Sequence, residues 1–209
     1  MKVAYYLDQI YLHGGIEKVL ANKLNYLIEN TSIELHVITF QQQNKVPCYP
    51  INNSVKFHDL GIKYNRELSY FHLKNIKYVL KHFLRLNSKI REINPDVMVV
   101  CNYEYGFYFI PLISKKAITI KEFHASGYFS NLSLKQNNSI LKKIINKISV
   151  YFESKYKYLV VLTHDEINYH EPRNTIVIPN GISKISKTKA DLDNKRVISA
   201  GRIAPVKGF

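Results

Sequence analysis

The sequence predicts an α/β protein in which a parallel β-sheet carries helices on both faces. Short, continuous apolar runs alternate with longer segments of helical periodicity, beginning with a strand-helix-strand order at the N-terminus. Strands of a parallel sheet are buried on both faces and therefore read as unbroken apolar runs. An apolar fraction of 46% over 209 residues is enough for a sizeable core.

The first strand, helix and connecting loop form the clearest unit. Residues 2–7 are a short apolar run, and apolar residues recur at helical spacing over residues 16–28. The loop between them contains Gly14 and Gly15, which permit close backbone approach to a partner. The first N–H groups of the helix have no partner within it, so this loop could bind an anion or could be only a tight turn.

The rest of the chain continues the alternation. Apolar runs predict further strands at residues 34–40, 55–60, 96–101, 117–123, 158–162, 175–178 and 196–200. Helical periodicity predicts helices over residues 68–93, ended by Pro95, and over residues 139–152. A charged, polar stretch then indicates a boundary, so we expect a first domain over residues 1–183, a linker over 184–195 and the start of a second domain over 196–209.

Charge and composition restrict the partners and the compartment. Thirty Lys and Arg against 16 Asp and Glu leave a net charge of +14, which favours nucleic acid, phosphorylated molecules or an acidic membrane surface. Cys48 and Cys101 follow no metal or redox spacing and are expected to be reduced thiols of a cytosolic protein. No signal peptide and no 18-residue apolar window are found, so we expect a protein that stays inside the cell.

The predicted helix over residues 139–152 is basic and amphipathic. Its apolar stripe is formed by Ile140, Leu141, Ile144, Ile145, Ile148, Tyr151 and Phe152, and Lys135, Lys142, Lys143 and Lys147 surround it. Such a helix can pack on the sheet or can contact an anionic membrane surface.

Polar residues follow two of the predicted strands at the edge where open α/β sheets bind ligands. His124 follows the strand at residues 117–123 and is a candidate catalytic residue, although one histidine among eight could also be structural. Asn102, Glu104 and Tyr105 follow the preceding strand. They could bind a polyhydroxylated acceptor through hydrogen bonds and ring stacking, or they could form an ordinary polar loop.

Two further pairs lie near the C-terminus. Arg202 and Lys207 flank a proline-containing turn directly after the last predicted strand, a placement that suits an anion. Asp191 and Asp193 have a spacing that holds a metal ion in some nucleotide-sugar enzymes. They lie in the polar linker, so we expect solvated charge there and no metal site.

Four stretches together resemble the family-4 retaining glycosyltransferases of the GT-B fold. They are Gly-Gly-Ile-Glu at 14–17, Phe-His-Ala-Ser at 123–126, Ile-Pro-Asn-Gly-Ile at 178–182 and Ser-Ala-Gly-Arg-Ile-Ala-Pro-Val-Lys-Gly at 199–208. In that family two Rossmann-like domains face each other across a nucleotide-sugar. The second domain holds most of the donor, and the first mainly receives the acceptor.

The resemblance implies roles for individual residues. Gly15, with Gly14, would approach the donor pyrophosphate, and Arg202 and Lys207 would neutralise it as it leaves, while His124 would contact the transferred sugar. Fixed cations and N–H groups can stabilise a departing nucleoside diphosphate, so no metal or other cofactor is expected. The family's two glutamates, separated by seven residues, would lie beyond Phe209, and the 209 residues alone are expected to be inactive.

The sequence therefore predicts transfer of a sugar from a nucleotide-diphosphate-sugar to a glycan or lipid-linked acceptor in cell-surface polysaccharide synthesis. We expect a cytoplasmic location with contact at the inner face of the cell membrane. One alternative is a basic nucleic-acid-binding protein, but no aromatic sheet motif, zinc spacing or helix-turn-helix accompanies the charge, so nucleic acid is not expected. The other is a dinucleotide-dependent oxidoreductase, disfavoured because the first turn lacks G-x-G-x-x-G.

Overall fold

The computed structural model describes residues 1–69, 72–127, 140–170 and 174–181, with only the backbone described at 140–142. The strands are β1 (Lys2–Leu7), β2 (Glu34–Thr39), β3 (Lys56–Asp59), β4 (Val97–Val100), β5 (Ile118–Glu122), β6 (Tyr158–Val161) and β7 (Thr175–Val177). The helices are α1 (Gly15–Asn30), α2 (Leu73–Ile76), α3 (Val79–Ile93), α4 (Tyr105–Ile113) and α5 (Ile140–Glu153), with a 3₁₀ helix at His164–Tyr169.

The seven strands form one sheet in the order β3-β2-β1-β4-β5-β6-β7, and every neighbouring pair is parallel. The predicted α/β class with a parallel sheet is confirmed. The chain winds outward from β1 to β3, then crosses back to place β4 on the other side of β1. This reversal opens a crevice at the carboxyl ends of β1 and β4, where ligands bind in sheets of this kind.

The strands predicted up to residue 178 and the helices predicted over residues 16–28 and 139–152 are confirmed with small shifts of their ends. The helix predicted over residues 68–93 is two helices, α2 and α3. At the C-terminal end of α3, Asn94 adopts a left-handed conformation with φ of 48° and donates its N–H to the Ile90 carbonyl. Pro95 follows directly. The strand predicted at 196–200, the linker at 184–195 and the start of a second domain lie outside the described residues.

Helix α4 was not predicted from the sequence. Its residues, YGFYFIPLI, are apolar nearly all round because the helix is buried, so the 3.6-residue period is missing. Pro111 lies inside it and cannot donate a hydrogen bond to the Phe107 carbonyl. The buried Tyr156 hydroxyl donates to that carbonyl instead, at 2.7 Å. The helix thus depends on a side chain from a distant segment.

The face of the sheet toward α3 and α4, called here the covered face, holds the larger core. Its buried residues include Ala4, Tyr6, Met98, Val100, Leu159 and Val161 from the strands, Leu86 and Ile90 from α3, and Phe107 and Ile110 from α4. Gly106 allows α4 to approach β1 closely, since a Cβ there would overlap the ring of Tyr6. His82 of α3 lies between the hydroxyls of Tyr6 and Tyr64, at 2.7 and 3.0 Å, and burial lowers its pKa to about 3.

Helix α1 packs on the opposite face, called here the open face. Its Leu20 and Leu24 contact a second core cluster that includes Val3, Tyr5, Leu7, Leu35, Val37, Val99 and Cys101. These residues belong to β1, β2 and the end of β4. Along the neighbouring strands β5, β6 and β7, this face borders a groove beside α1. No helix in the described part of the chain is long and apolar enough to cross a membrane.

Candidate functional site

Two groups of polar residues lie at the carboxyl edge of the sheet. The first, the switch-point cluster, consists of Asp8, Arg66, Asn102 and Glu104. The Asn102 side-chain amide donates to one carboxylate oxygen of Asp8 at 2.6 Å, and the Arg66 guanidinium donates to the other at 2.7 Å. Asp8 directly follows β1 and Asn102 lies just after β4, so the reversal of strand order brings them together. Sequence reasoning singled out Asn102 and Glu104, but missed Asp8 and Arg66 as their partners.

Glu104 is buried at the N-terminus of α4. Burial and the nearby Asp8 carboxylate raise its pKa well above the usual range, and Lys121 opposes them only in part. Its Oε1 and the Oδ1 of Asn102 have no hydrogen-bond partner within the described residues. Buried polar atoms are nearly always bonded, so these two atoms are suited to bind hydroxyl groups of a ligand.

Tyr105, predicted to bind the acceptor with Asn102 and Glu104, lies in the core. Its ring packs against Tyr64 and Phe109, with centroid distances of 5.8 and 5.9 Å. This packing accounts for the aromatic ring without a ligand. A role for Tyr105 in acceptor binding remains a prediction.

The glycine pair begins α1, as predicted, but the two glycines have different surroundings. Gly14 is the residue before the first turn, and a Cβ there would overlap the carboxylate of Glu17. That carboxylate accepts a hydrogen bond from the Gln9 amide at 2.6 Å. A Cβ on Gly15 would meet nothing within 4 Å. Close approach of a ligand is therefore open at Gly15, while a carboxylate already lies beside Gly14.

The second polar group lines the groove, which has a volume of about 770 Å³ and runs between α1 and the ends of β5, β6 and β7. His124 lies here, with Asn22, Lys23 and Tyr26 of α1 on one side and Asn180 on another. The groove thus combines apolar walls with amide, imidazole and charged groups. This composition is typical of small-molecule sites.

His124 and Glu122 are paired in the groove. The His124 Nε2 lies 3.3 Å from one Glu122 oxygen, and the Lys23 ammonium lies 2.6 Å from the other. Burial by itself would raise the pKa of Glu122, but the pairing with His124 and Lys23 lowers it to about 2. Glu122 is consequently a carboxylate at neutral pH. Neither His124 ring nitrogen makes a well-formed hydrogen bond to the described residues.

Glu166 of the 3₁₀ helix holds the loop that follows His124. One carboxylate oxygen accepts from the Ser126 hydroxyl at 2.6 Å, and the other accepts from the Gly127 N–H at 2.8 Å. The loop is thereby tied to a segment about forty residues away, and the position of His124 with it. Sequence reasoning did not identify Glu166, because nothing in its local pattern distinguishes it from a surface glutamate.

The structure places His124 in the groove and Asn102 and Glu104 in the switch-point cluster. Gly14 and Gly15 lie at the start of α1 and are not among the residues that line the groove. Arg202 and Lys207, predicted to bind the donor phosphates, lie outside the described residues, as do Asp191 and Asp193. Their predicted roles therefore remain predictions.

Comparison with family models and with curated protein sequences finds no match. Solved structures do match. A sucrose-phosphate synthase from Thermosynechococcus elongatus has a TM-score of 0.60 and 10% identity over 85% of this chain and 47% of its own. WaaG, a glycosyltransferase involved in lipopolysaccharide biosynthesis, has a TM-score of 0.55 and 14% identity over 86% and 45%. UDP-GlcNAc 2-epimerase from Neisseria meningitidis, bound to UDP-GlcNAc, has a TM-score of 0.55 and 15% identity over 86% and 47%.

At such low identity these matches establish the fold and not the activity. The chain spans about half the length of these three structures. The predicted Rossmann-like fold is confirmed, whereas the narrower assignment to family 4 remains a prediction. The described chain has the Rossmann-like α/β fold that forms about half of GT-B glycosyltransferases and of UDP-GlcNAc 2-epimerases.

Proposed function

We propose that this chain is the acceptor-side domain of a retaining glycosyltransferase that uses a nucleotide-diphosphate-sugar. The observation that carries the proposal is the position of His124. It lies in a groove at the carboxyl edge of a sheet whose fold is shared with glycosyltransferases, within the Phe-His-Ala-Ser stretch that resembles theirs. The acceptor we propose is a glycan or a lipid-linked sugar in cell-surface polysaccharide synthesis.

The two polar groups would divide the work. In the transfer, the bond from the sugar C1 to the donor phosphate oxygen breaks, a bond from C1 to an acceptor hydroxyl oxygen forms, and the hydroxyl proton passes to the departing phosphate. His124 would contact the transferred sugar. Glu122 would hold the His124 imidazole in place, and Lys23 would hold the Glu122 carboxylate. The switch-point cluster would bind acceptor hydroxyls through Asn102 and Glu104.

The leaving group is a nucleoside diphosphate. The N–H groups near Gly15 would meet its phosphates, and Arg202 and Lys207 would neutralise their charge. Hydrogen-bond donors and cations arranged in advance stabilise developing negative charge in such a reaction. This part of the proposal needs no resident metal or organic cofactor.

A second candidate is epimerisation of a nucleotide-sugar, because UDP-GlcNAc 2-epimerases match the fold as well as WaaG does. Both candidates require a nucleotide-sugar ligand. The four stretches that resemble family-4 glycosyltransferases favour transfer. The products distinguish the two activities, since transfer releases free nucleoside diphosphate and epimerisation does not.

The test uses the full gene product that contains these 209 residues. It is incubated with UDP-glucose, UDP-galactose, UDP-GlcNAc or GDP-mannose and a membrane extract as acceptor source, and nucleoside diphosphate release is measured. Transfer with an unchanged anomeric configuration, read by proton NMR of the product, is the expected result. His124→Ala should lower kcat/KM by about 100-fold or more, whereas His164→Ala, an exposed histidine of the 3₁₀ helix, should not.

Binding is measured in parallel, by ligand-observed NMR with the same four nucleotide-sugars. Absence of both binding and transfer in the full gene product would overturn the proposal. Epimerised donor without diphosphate release would favour the second candidate. The 209 residues alone should bind these nucleotides weakly and turn over none, and robust transfer by them would contradict the predicted division of labour between domains.

We further propose that α5 brings the protein to an anionic membrane surface at the inner face of the cell membrane. The apolar stripe is exposed at Ile144, Ile145, Ile148 and Tyr151, whereas Phe152 is partly buried against the core of the covered face. Exposed Lys143 and Lys147 lie among these residues. A helix with this pattern can bury its apolar side chains at the lipid interface while the lysines face anionic headgroups.

Sedimentation with vesicles tests this proposal. Vesicles of phosphatidylglycerol and phosphatidylcholine should bind the protein, and vesicles of phosphatidylcholine alone should bind it much less. Lys143→Gln with Lys147→Gln should weaken binding, whereas Lys115→Gln with Lys116→Gln, an exposed pair before β5, should not. Equal binding to both kinds of vesicle would exclude the electrostatic attraction.

A further inference from the structure

We infer that Cys101, Glu122 and His124 form a binding site for a divalent transition-metal ion of the zinc type. The thiol sulfur, one carboxylate oxygen and one imidazole nitrogen all lie within 4.8 Å of one another. Thiolate, imidazole and carboxylate are the three ligand types that zinc takes in proteins. The residues come from the ends of two neighbouring strands, so their spacing in the sequence does not predict a metal site.

The sheet register explains why these side chains meet. Val100 of β4 pairs with Lys121 of β5, and the next residues along the two parallel strands are Cys101 and Glu122. Both side chains therefore project from the open face at the same level. His124 lies two residues after Glu122 and returns to that face beside the groove.

The surroundings of the His124 side chain are a second, independent observation that indicates a ligand at this site. Its side chain is only 8% exposed, and neither ring nitrogen has a hydrogen-bond partner within the described residues. A buried imidazole whose ring nitrogens make no hydrogen bond is rare, and here only the ion pair with Glu122 offsets the desolvation of its polar atoms. Its Nε2 lies 3.3 Å from the Glu122 oxygen that Lys23 does not contact. A metal ion between these groups would satisfy both.

The distances suit a tetrahedral site after small shifts. Zinc-ligand bonds of about 2.0 to 2.3 Å place the ligand atoms roughly 3.4 to 3.6 Å apart. The nitrogen-oxygen distance of 3.3 Å is already close to this, and the wider separations in the group, up to 4.8 Å, need to shrink by roughly 1.4 Å at most. The groove beside His124 leaves room for a fourth ligand from solution.

The surrounding charges are also compatible with a bound cation. Lys23 occupies the other Glu122 oxygen at 2.6 Å, so it fixes the carboxylate and leaves Oε2 available. Such outer contacts orient metal ligands in known sites. On binding, the Cys101 thiol would release its proton, and a divalent ion would balance the charges of the resulting thiolate and of the nearby Glu122 carboxylate.

This metal site does not depend on the proposed transfer activity, for which no metal is expected. The two proposals meet only at His124. A metal bound at Nε2 would leave Nδ1, the other ring nitrogen, for contact with a ligand in the groove. Metal binding is therefore measured without turnover, so that failure of one proposal leaves the other standing.

Cobalt titration provides the test. The untagged chain, reduced and freed of metal by chelation, is titrated with Co²⁺ in a buffer without thiols. We expect one equivalent to produce the near-ultraviolet charge-transfer absorption of a cobalt-thiolate bond, and Zn²⁺ to abolish it by displacement. Cys101→Ala should remove the band. His124→Ala should weaken cobalt affinity by about 10-fold or more.

Two matched controls use other residues of the same types. Cys48→Ala removes a thiol that bonds to the Leu12 carbonyl, and His164→Ala removes an exposed histidine, so both should leave the band and the affinity unchanged. Circular dichroism checks that each variant is folded. His124 borders the groove whereas Cys101 is buried in the core, so we expect His124→Ala to disturb folding less than Cys101→Ala. The inference would be overturned if the protein showed no band. It would also be overturned if Cys48→Ala removed the band and Cys101→Ala kept it.

Discussion

The covered face and the open face of the sheet differ in how they treat charge, and two adjacent residues of β5 show the difference. Lys121 projects from the covered face and is only 1% exposed. Its ammonium lies over the rings of Tyr103 and Phe123, at 5.0 and 4.9 Å, and donates to the Glu122 carbonyl at 2.7 Å. Burial lowers its pKa to about 8.

Glu122 projects from the open face, where its carboxylate joins Lys23 and His124 at the wall of the groove. One residue along a strand therefore separates a charge enclosed by aromatic rings from a charge that a ligand can reach. The candidate chemistry therefore lies where helices leave the sheet open. The covered face supplies stability, and substitutions there should have larger effects on unfolding.

Gly106→Ala should have the largest effect on stability, because the Gly106 backbone lies directly against the Tyr6 ring on the covered face. The added methyl group would overlap the ring of Tyr6, so α4 or β1 must move. We expect the free energy of unfolding to fall by about 3 kcal/mol, measured by urea denaturation.

The partner of Gly106 provides the check. If the overlap with Tyr6 is the cause, Tyr6→Ala combined with Gly106→Ala should lose less stability than the sum of the two single changes. Additive losses would mean that another contact of α4 is responsible.

Acid should destabilise the covered face through His82. Burial lowers the folded-state pKa of this histidine to about 3, below the value of about 6.5 expected in the unfolded chain. The unfolded chain therefore binds the extra proton between these values, and the stability that is present above pH 6.5 is lost as the pH falls toward 3. From pH 7.5 to pH 5 we expect a loss of about 2 kcal/mol from this group.

The measurement compares denaturation of the protein and of His82→Gln at the two pH values. The variant keeps a side chain that can bond to Tyr6 or Tyr64 but cannot take up the proton. Its loss between pH 7.5 and pH 5 should be smaller by this amount. Equal losses would show that His82 is not the titrating group.

Tyr156→Phe should lower the free energy of unfolding by about 1.5 kcal/mol, because the Phe107 carbonyl loses its donor while remaining buried. Tyr158→Phe, a more exposed tyrosine of β6, is the control and should change stability by less than about 0.5 kcal/mol. Thermal unfolding of both variants decides. Equal effects would mean that the proline in α4 needs no replacement donor.

The glycine pair at α1 should show the smallest effects and a clear order. Gly14→Ala crowds the flexible end of Glu17 and should cost about 1 kcal/mol, whereas Gly15→Ala meets no neighbour and should change stability by less than about 0.5 kcal/mol.

A bulkier residue at Gly15 should instead reduce nucleotide-sugar transfer by the full gene product. Unchanged transfer by Gly15→Trp would mean that the loop is only a turn.

Local sequence determined the strands and their parallel arrangement. Runs such as residues 34–40 and 96–101 are apolar along their whole length, and that pattern reflects burial on both faces. It also indicated that His124 and Asn102 follow strands, and therefore lie at the ligand-binding edge. These features depend on neighbours within a few residues, so the sequence alone reveals them.

Only the tertiary structure decided which side chains meet. Arg66 reaches Asp8 across 58 positions, and Glu166 holds the loop after His124 across forty. Helix α4 is apolar nearly all round and is completed by Tyr156, so its own residues carry no amphipathic signal. Cys101 approaches Glu122 and His124 because β4 and β5 are neighbours in a particular register. Strand order and register arise from packing of the whole chain, and no local pattern encodes them.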